Sequence, residues 1–393
     1  MTQPLAFDRR YPSNEDLREL ARRRVPRFAF EYLDGGCNED VNLDRNRSDL
    51  QRVELEPHYV VTDPEPQTTT ELFGETYSAP FGIAPIGLQG LIWPDAGGIL
   101  ARAAHEARIP FMLSTVSTSS IEEVAEITEG RFWFQLYHPA RTEMRDDLLD
   151  RAEAAGCKTL VLLADVPSFG FRPRDIRNGL SMPPRMNLRN FLQIAMRPRW
   201  ALATLRAGTP RFASLERYMP KGLDLNALGA FMNETFSGRL DRDRIAAIRD
   251  RWKGRLVVKG IVSQPDAQQA VDLGVDGLIV SNHGGRQLDA GQSTIVPTQA
   301  LAESFGSRIT IMMDGGVRSG PDVARALACG ARFTWMGRAF MYGVGALGSA
   351  GGRHTAALVR AQLQQVLEQL GCAGVEELPS RLLGLRASAA SAD

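Results

Sequence analysis

Residues 281–289, SNHGGRQLD, place an imidazole, a guanidinium and two adjacent glycines in one short segment. His283 can take up a proton near neutral pH. Arg286 can bind a carboxylate through two parallel N–H donors, and the two glycines let the backbone approach a ligand closely. The segment indicates a base and a carboxylate anchor acting on an organic acid. We expect the other histidines to be surface or loop residues: His58, His105, His138 and His354.

A second group of residues is typical of phosphate binding. Asp314-Gly315-Gly316-Val317-Arg318 forms one glycine-rich turn, and Gly337-Arg338 forms another further along the chain. Backbone N–H groups at the start of a helix bind anions, and arginines add positive charge. If these turns follow the last two strands of a barrel, they lie where such barrels bind phosphate. The sequence therefore predicts a phosphorylated ligand.

Eight short apolar runs, separated by helix-like stretches, would position these residues. Runs that are apolar throughout indicate parallel strands buried on both faces, and eight βα units in about 260 residues match a closed barrel better than an open sheet. The predicted fold is an α/β TIM (β/α)₈ barrel over about 81–375. The runs are Phe81–Gly87, Pro110–Thr115, Arg131–Tyr137, Thr159–Asp165, Arg255–Gly260, Gly277–His283, Ile309–Gly315 and Arg332–Arg338.

Two further segments flank or interrupt the barrel, within one domain that we expect to span residues 1–393. Residues 13–57 predict an N-terminal helical cap, in which Ser13 begins the first helix and Gly35-Gly36 end the second. The interval 166–254, between the fourth and fifth strands, is long enough for a loop and helices of its own.

Composition excludes several classes of protein. The chain has 46 basic and 46 acidic residues, so a nucleic-acid partner is not expected. Its four cysteines form no CxxC pair, which predicts no metal site and a reducing compartment. The N-terminus lacks the apolar core of a signal peptide, and no apolar run reaches about 18 residues. A cytoplasmic location is expected.

The long interval is strongly basic. Residues 172–221 carry ten Arg and one Lys against two carboxylates, a net charge of +9, mixed with Trp200, Phe191, Leu192 and Ile194. It could be a solvated loop over the barrel mouth. It could also lie on an anionic membrane surface, peripherally on the inner membrane, through residues 174–221. With Arg172 and Arg174 assigned to the site, the segment keeps a charge of +7.

Four motifs resemble those of the FMN-dependent enzymes that oxidise 2-hydroxy acids: SNHGGRQLD, LVVKG, MDGGVRSG and MGR. This family includes glycolate oxidase, lactate oxidase, lactate monooxygenase and mandelate dehydrogenase, and the resemblance covers about 13–375. GLQGLIWP (87–94) and RPRWALATLRAGTP (197–210) are most similar to the mandelate and bacterial lactate dehydrogenases, whereas GFRPRD (170–175) also resembles lactate monooxygenase.

The resemblance implies a role for each candidate residue. His283 would take the substrate's proton, Asp165 would stabilise its protonated form, Arg286 and Tyr32 would hold the carboxylate, Tyr137 would contact the hydroxyl oxygen, and Arg172 would add a second cation. Lys259 would lie beside the N1–C2=O edge of FMN. Other FMN contacts would be Ala84, Pro85, Ile86, Gly87, Ser114, Gln135, Ser281, Asp314, Gly315, Gly316, Arg318, Gly337 and Arg338.

Three departures from the family pattern bear on the activity. Leu163 and Ile86 replace threonines, and Gly87 stands where many oxidases carry Ala. The small Gly87 and Val116 admit mandelate, phenyllactate or lactate. Gly87 and the basic segment favour a dehydrogenase that passes electrons to quinone over an oxidase that reduces O₂ to H₂O₂. The resemblance also implies a homotetramer.

Two other readings of the site stay open. A barrel lyase or isomerase acting on a sugar phosphate would use Lys259 as a Schiff-base lysine, which accounts for the phosphate turns but not for an acid-binding set. The other is a protein that binds flavin or phosphate without catalysis. It is supported by Leu163, which stands in place of the family's threonine.

Overall fold

The computed structural model of the protein describes residues 7–62, 65–180, 186–219, 231, 234–236 and 239–385. Short strands run through most of this length. They are β1 (Val53–Leu55), β2 (Thr70–Leu72), β3 (Glu75–Tyr77), β4 (Phe81–Ile83), β5 (Met112–Ser114), β6 (Trp133–Leu136), β7 (Thr159–Leu163), β8 (Arg255–Lys259), β9 (Gly277–Val280), β10 (Thr310–Asp314), β11 (Phe333–Met336) and β12 (Leu382–Leu385).

Strands β4 to β11 form a parallel barrel. The hydrogen-bonded order is β4-β11-β10-β9-β8-β7-β6-β5, and a parallel bridge between Ile83 and Phe111 joins its two ends. Each apolar run contains one of these strands, so the predicted TIM barrel is confirmed. Carboxyl ends of parallel strands meet at one rim, and the motif residues lie at that rim or just beyond it.

The helices surround the barrel and extend its two termini. They are α1 (Asn14–Arg24), α2 (Arg27–Asp34), α3 (Val41–Gln51), α4 (Ala96–Ala107), α5 (Ile121–Thr128), α6 (Thr142–Ala154), α7 (Pro173–Arg177), α8 (Leu188–Ala195), α9 (Pro198–Ala207), α10 (Arg242–Arg251), α11 (Gln264–Asp272), α12 (Ile295–Phe305), α13 (Gly320–Ala328), α14 (Arg338–Leu347) and α15 (Gly351–Leu370). No described helix is both long and apolar enough to cross a bilayer.

The predicted N-terminal cap is present as α1 to α3. Ser13 begins α1 with a capping box, because its Oγ accepts the Asp16 N–H and Asp16 accepts the Ser13 N–H in return. The buried carboxylate of Asp34 then joins three helices: its Oδ1 accepts 2.7 Å hydrogen bonds from Arg18 Nε and from the Tyr342 hydroxyl. The cap is thereby fixed to α14, beside the barrel's carboxyl rim.

The amino end of the barrel is filled by aromatic side chains. The β2–β3 hairpin brings Phe73 and Tyr77 against the barrel interior. The ring centroid of Phe73 lies 5.7 Å from that of Trp133, and that of Tyr77 lies 5.8 Å from that of Phe333. Trp133 and Phe333 stand at the start of β6 and β11, so the hairpin closes this end.

The interval after β7 contains α7 to α10, as its length predicted. It docks on the cap and on the segment between β4 and α4: Gln193 of α8 accepts the Phe28 N–H of the cap at 3.0 Å, and Trp200 of α9 donates to the Ile92 carbonyl at 2.9 Å. Arg185 and Lys221, which contribute to the segment's charge, lie outside the described residues.

Candidate active site

His283 and Asp165 meet at the carboxyl rim of the barrel. Asp165 follows β7, and His283 follows β9 in a left-handed backbone conformation with φ 56°. The Nδ1 atom of His283 lies 3.1 Å from Asp165 Oδ1. Because an ionised carboxylate only accepts hydrogen bonds, we assign the hydrogen to Nδ1, which leaves the Nε2 lone pair to act as a base.

The electrostatics of this pair favour a neutral imidazole. Burial lowers the pKa of His283 below its ordinary value, and this effect outweighs the attraction of Asp165. Burial has the opposite tendency for Asp165, yet the Lys259 charge and the hydrogen bond from His283 hold the pKa of that carboxyl below its ordinary range. A neutral base beside an ionised carboxylate is ready to accept a proton.

Lys259 supplies a buried positive charge at the end of β8. Its Nζ donates to Ser281 Oγ at 2.7 Å and lies 3.0 Å from Asp314 Oδ2 and 3.9 Å from Asp165 Oδ2. Burial opposes the charge, but the two carboxylates outweigh it and raise the pKa of Lys259. A lysine held protonated is a poor nucleophile, which argues against a Schiff-base lyase.

Two positively charged arginines lie at the rim, one held by neutral carbonyls and the other close to a carboxylate. Arg286 donates to the carbonyls of Tyr32 at 2.6 Å and Gly35 at 2.9 Å, and its guanidinium lies 5.0 Å from the Tyr32 ring centroid. Arg172 Nη1 lies 3.7 Å from Asp175 Oδ2. Burial and the nearby Arg172 charge lower the pKa of Arg286 to about 10. A substrate carboxylate would relieve this repulsion.

Tyr137 follows β6 on another side of the same rim. Its backbone N–H donates to Thr115 Oγ1 at 3.0 Å, and its ring packs 5.5 Å from that of Phe236. Burial and the Asp165 charge raise the pKa of the Tyr137 phenol. The hydroxyl therefore stays protonated and can donate a hydrogen bond to a substrate oxygen.

Two side-chain atoms among the residues predicted to bind FMN are buried with no hydrogen-bond partner in the described part of the chain. They are Gln135 Nε2, a donor, and Asp314 Oδ1, an acceptor. Ser114 Oγ, by contrast, donates to Gln135 Oε1 at 2.9 Å. Buried polar atoms are ordinarily paired, so both orphan atoms indicate a ligand with complementary groups.

The segment after β4 lies between the first and last strands. The Ala84 N–H donates to the Met336 carbonyl at 3.0 Å, and Pro85, Ile86 and Gly87 continue half-buried. A Cβ built on Gly337 would lie 3.9 Å from both Ala84 Cβ and Ile86 Cγ1, and one built on Gly87 would lie 2.7 Å from Val116 Cγ2. The residues after β4 and β11 that were predicted to contact FMN therefore lie next to one another.

The turns after β10 and β11 hold two arginines close together. Gly315 and Gly316 have φ values of 92° and 84°, and a Cβ on Gly316 would lie 2.4 Å from the Asn46 carbonyl oxygen. Arg338 donates to the carbonyls of Leu33, Gly35 and Gly284 at 2.8–2.9 Å. Burial and the Arg318 charge lower the pKa of Arg338 to about 9, as expected for an anion site.

The geometry of the site can be compared with known proteins. A model of a family described as FMN-dependent dehydrogenase matches residues 21–385. This chain belongs to that family. The chain is 38% identical over 375 residues to an L-lactate dehydrogenase of Caulobacter vibrioides, a match covering 95% of this chain and 98% of that protein.

Solved structures resemble this chain along nearly its whole length. One, described as the monotopic membrane protein (S)-mandelate dehydrogenase, has a TM-score of 0.89 at 34% identity and covers 95% of this chain and 99% of its own. A mandelate oxidase structure has a TM-score of 0.81 at 31% identity and covers 94% and 97% of the two chains.

The residues of the site fit FMN. A flavin ring has carbonyl acceptors suited to Gln135 Nε2, and a ribityl chain has hydroxyl donors suited to Asp314 Oδ1. A phosphate would compensate the charges of Arg318 and Arg338. The lyase reading therefore has no support.

Two expectations need comment. His354 was predicted to lie at the surface or in a loop, which is wrong: it is buried on α15, where Nδ1 accepts the Asp8 N–H at 3.0 Å. Asn282 was given no role of its own within the SNHGGRQLD motif, yet its Nδ2 donates to Asn46 Oδ1 at 2.8 Å and so ties the His283 segment to α3. Its position inside the SNHGGRQLD motif was the available signal.

Proposed function

We propose that the protein oxidises an (S)-2-hydroxy acid to the 2-keto acid. The observation that carries the proposal is the contact between His283 and Asp165, in which Nδ1 lies 3.1 Å from the carboxylate, at the same rim as Arg286 and Arg172. A base and two guanidiniums at one rim suit a substrate that has a carboxylate and an ionisable hydroxyl. The lactate and mandelate named for the relatives are acids of this class.

Each side chain then has one task in the reaction. Arg286 and Arg172 bind the carboxylate, and Tyr137 donates a hydrogen bond to the substrate oxygen. His283 Nε2 accepts the substrate proton, and Asp165 stabilises the resulting imidazolium. Bound FMN would accept the two electrons, held through Gln135, Lys259, Asp314 and the arginines after β10 and β11.

The proposal is tested by mixing the purified, yellow protein with a panel of (S)-2-hydroxy acids in the absence of oxygen. We expect the flavin absorbance near the visible maximum to bleach with lactate or mandelate and to stay unchanged with the (R) forms. The absorbance spectrum is the measurement. A protein that binds no flavin, or a flavin that no hydroxy acid bleaches, would refute the function.

We further propose that electrons leave to an acceptor in a membrane rather than to O₂, because one helix presents its apolar face outward. Helix α8 buries Asn190 and Gln193 and exposes apolar side chains, which inverts the usual pattern of a surface helix. Its exposed residues are Leu188 76%, Phe191 59%, Leu192 58% and, just beyond its end, Met196 63%.

Positive charge accompanies this apolar face. Arg189 lies within α8, and Arg197 and Arg199 begin the next helix, which exposes Leu202 and Leu205. Apolar side chains with adjacent arginines suit the interface of an anionic bilayer. A relative described as a monotopic membrane protein is consistent with this surface. A quinone is the acceptor class that such a surface would reach; a homotetramer stays a prediction.

Replacing Phe191 and Leu192 together by Glu is expected to weaken binding to anionic phospholipid vesicles by at least about 10²-fold, because two buried apolar contacts are lost and charge is repelled. Co-sedimentation with the vesicles measures it. Turnover with a soluble dye should stay at the wild-type level. Val60→Glu, at a fully exposed residue elsewhere, is the control; equal vesicle binding by both variants would contradict the proposal.

A further inference from the structure

Gln287 joins the two loops that carry the candidate catalytic residues. Its Nε2 donates to the carbonyl of Asp165 at 3.2 Å and to that of Ser168 at 2.9 Å. Its Oε1 accepts the Gly170 N–H at 3.1 Å and Arg172 Nη2 at 3.3 Å. One amide thus uses both donors and both lone pairs to connect the β9 loop to the β7 loop.

The two loops pack so closely that a side chain between them is excluded. A Cβ built on Gly170 would lie 2.2 Å from the Arg286 carbonyl oxygen and 3.1 Å from Gln287 Cα. Arg172 Nε also donates to that Arg286 carbonyl at 3.4 Å. The contacts of Gln287 therefore set how Arg172 stands relative to Arg286.

A neutral side chain is required at this position. Arg172 and Arg286 are like charges, both half-buried at one rim, and each must remain available to an anionic substrate. A carboxylate at residue 287 would pair with Arg172 and repel the substrate's carboxylate. It would also face the carbonyls of Asp165 and Ser168 without the two N–H donors that they now have.

We propose that Gln287 is a positioning residue, which orients Arg172 for the substrate carboxylate while holding the backbone of Asp165. This inference rests on the proposed function, since it assigns the anion that Arg172 binds. The inference predicts that replacing Gln287 weakens carboxylate binding more than it lowers kcat or the stability of the fold.

Gln287→Glu tests the inference, since it keeps the size of the side chain. We expect KM for the hydroxy acid, and the Kd of oxalate measured through the flavin spectrum, to rise about tenfold or more. The value of kcat per bound flavin should fall less than KM rises, and the melting temperature should stay near wild type. Gln292→Glu, the same change at an exposed residue of that loop, should alter neither constant.

Gln287→Met is the second variant, because it keeps length and neutrality but cannot form these hydrogen bonds. We expect KM and the oxalate Kd to rise severalfold, which is less than for Gln287→Glu because this variant adds no charge. The inference is overturned if both variants keep wild-type KM and oxalate affinity per bound flavin, or if they differ from wild type only in melting temperature and flavin content. A wild-type protein that oxidises no hydroxy acid would instead reject the function itself.

Discussion

Replacing His283 by Gln is expected to reduce turnover by about 10²–10⁴-fold, because the substrate loses its general base. The amide cannot accept a proton, although it can still hydrogen-bond to Asp165. FMN should remain bound, since the substitution leaves all its predicted contacts unchanged, including Ser281 beside His283. Anaerobic flavin bleaching by the hydroxy acid, followed in a stopped-flow instrument, measures the step directly.

The pH dependence supplies an internal check on the same residue. The base acts only when unprotonated, and burial lowers its pKa below the ordinary value of 6.5. The acid limb of kcat/KM in the wild-type protein should therefore fall below pH 6.5. His105→Gln, a change on α4 away from the rim, is the matched control. Wild-type turnover in His283→Gln would remove the proposed mechanism.

Lys259→Met is expected to destabilise the protein by about 3–5 kcal/mol, since it leaves buried carboxylates without their cation. The ammonium lies 3.0 Å from Asp314 and 3.9 Å from Asp165, and its side chain is 4% exposed. The free energy of unfolding, measured by chemical denaturation, checks this value. Flavin reduction should also slow sharply, because a positive charge beside the ring favours the arrival of electrons.

A pH profile and a control variant test the prediction for Lys259→Met further. The Lys259 charge lowers the pKa of His283, so its removal should move the acid limb of kcat/KM to higher pH. Lys158→Met changes an exposed lysine paired with Glu75 and should cost little stability. If the two variants unfolded with the same free energy, the buried carboxylates of Asp165 and Asp314 would not depend on Lys259 for stability.

The barrel could be predicted because each strand is buried on both faces and is therefore apolar throughout. The predicted runs extend past the strands at their carboxyl ends: Phe81–Gly87 contains β4, which ends at Ile83, and Gly277–His283 contains β9, which ends at Val280. The regular strands end there, although the Ala84 N–H beyond β4 still donates to the Met336 carbonyl; beyond β9 the chain turns away and reaches a left-handed φ at His283. Composition alone does not mark such a turn.

The residues of the site were named from motifs, but their connections were not. The carbonyls that Arg338 contacts belong to Leu33 and Gly35 in the N-terminal cap, far from it in sequence. The four hydrogen bonds of Gln287 likewise depend on two loops meeting across the rim. Such contacts arise from tertiary packing, which local spacing does not encode.

For the basic segment, too, the sequence did not determine the structure. Its positive charge was evident from the sequence, but that charge is compatible with a solvated loop and with a membrane-binding surface. The outward face of α8 is set by Gln193 and Asn190, which bond to the Phe28 N–H and the Asn178 carbonyl. Those two contacts decide which face of the helix remains exposed.

The β2–β3 hairpin covers the amino end of a barrel whose interior is already filled by side chains. Because Phe73 and Tyr77 pack at that end, the hydroxy acid, the keto acid and the electron acceptor of the proposed reaction would all approach from the carboxyl rim. A keto acid that stays bound there would compete with the acceptor, which steady-state inhibition by keto acid against the acceptor would reveal. The reductive and oxidative halves of the proposed cycle would then alternate at one rim of the barrel.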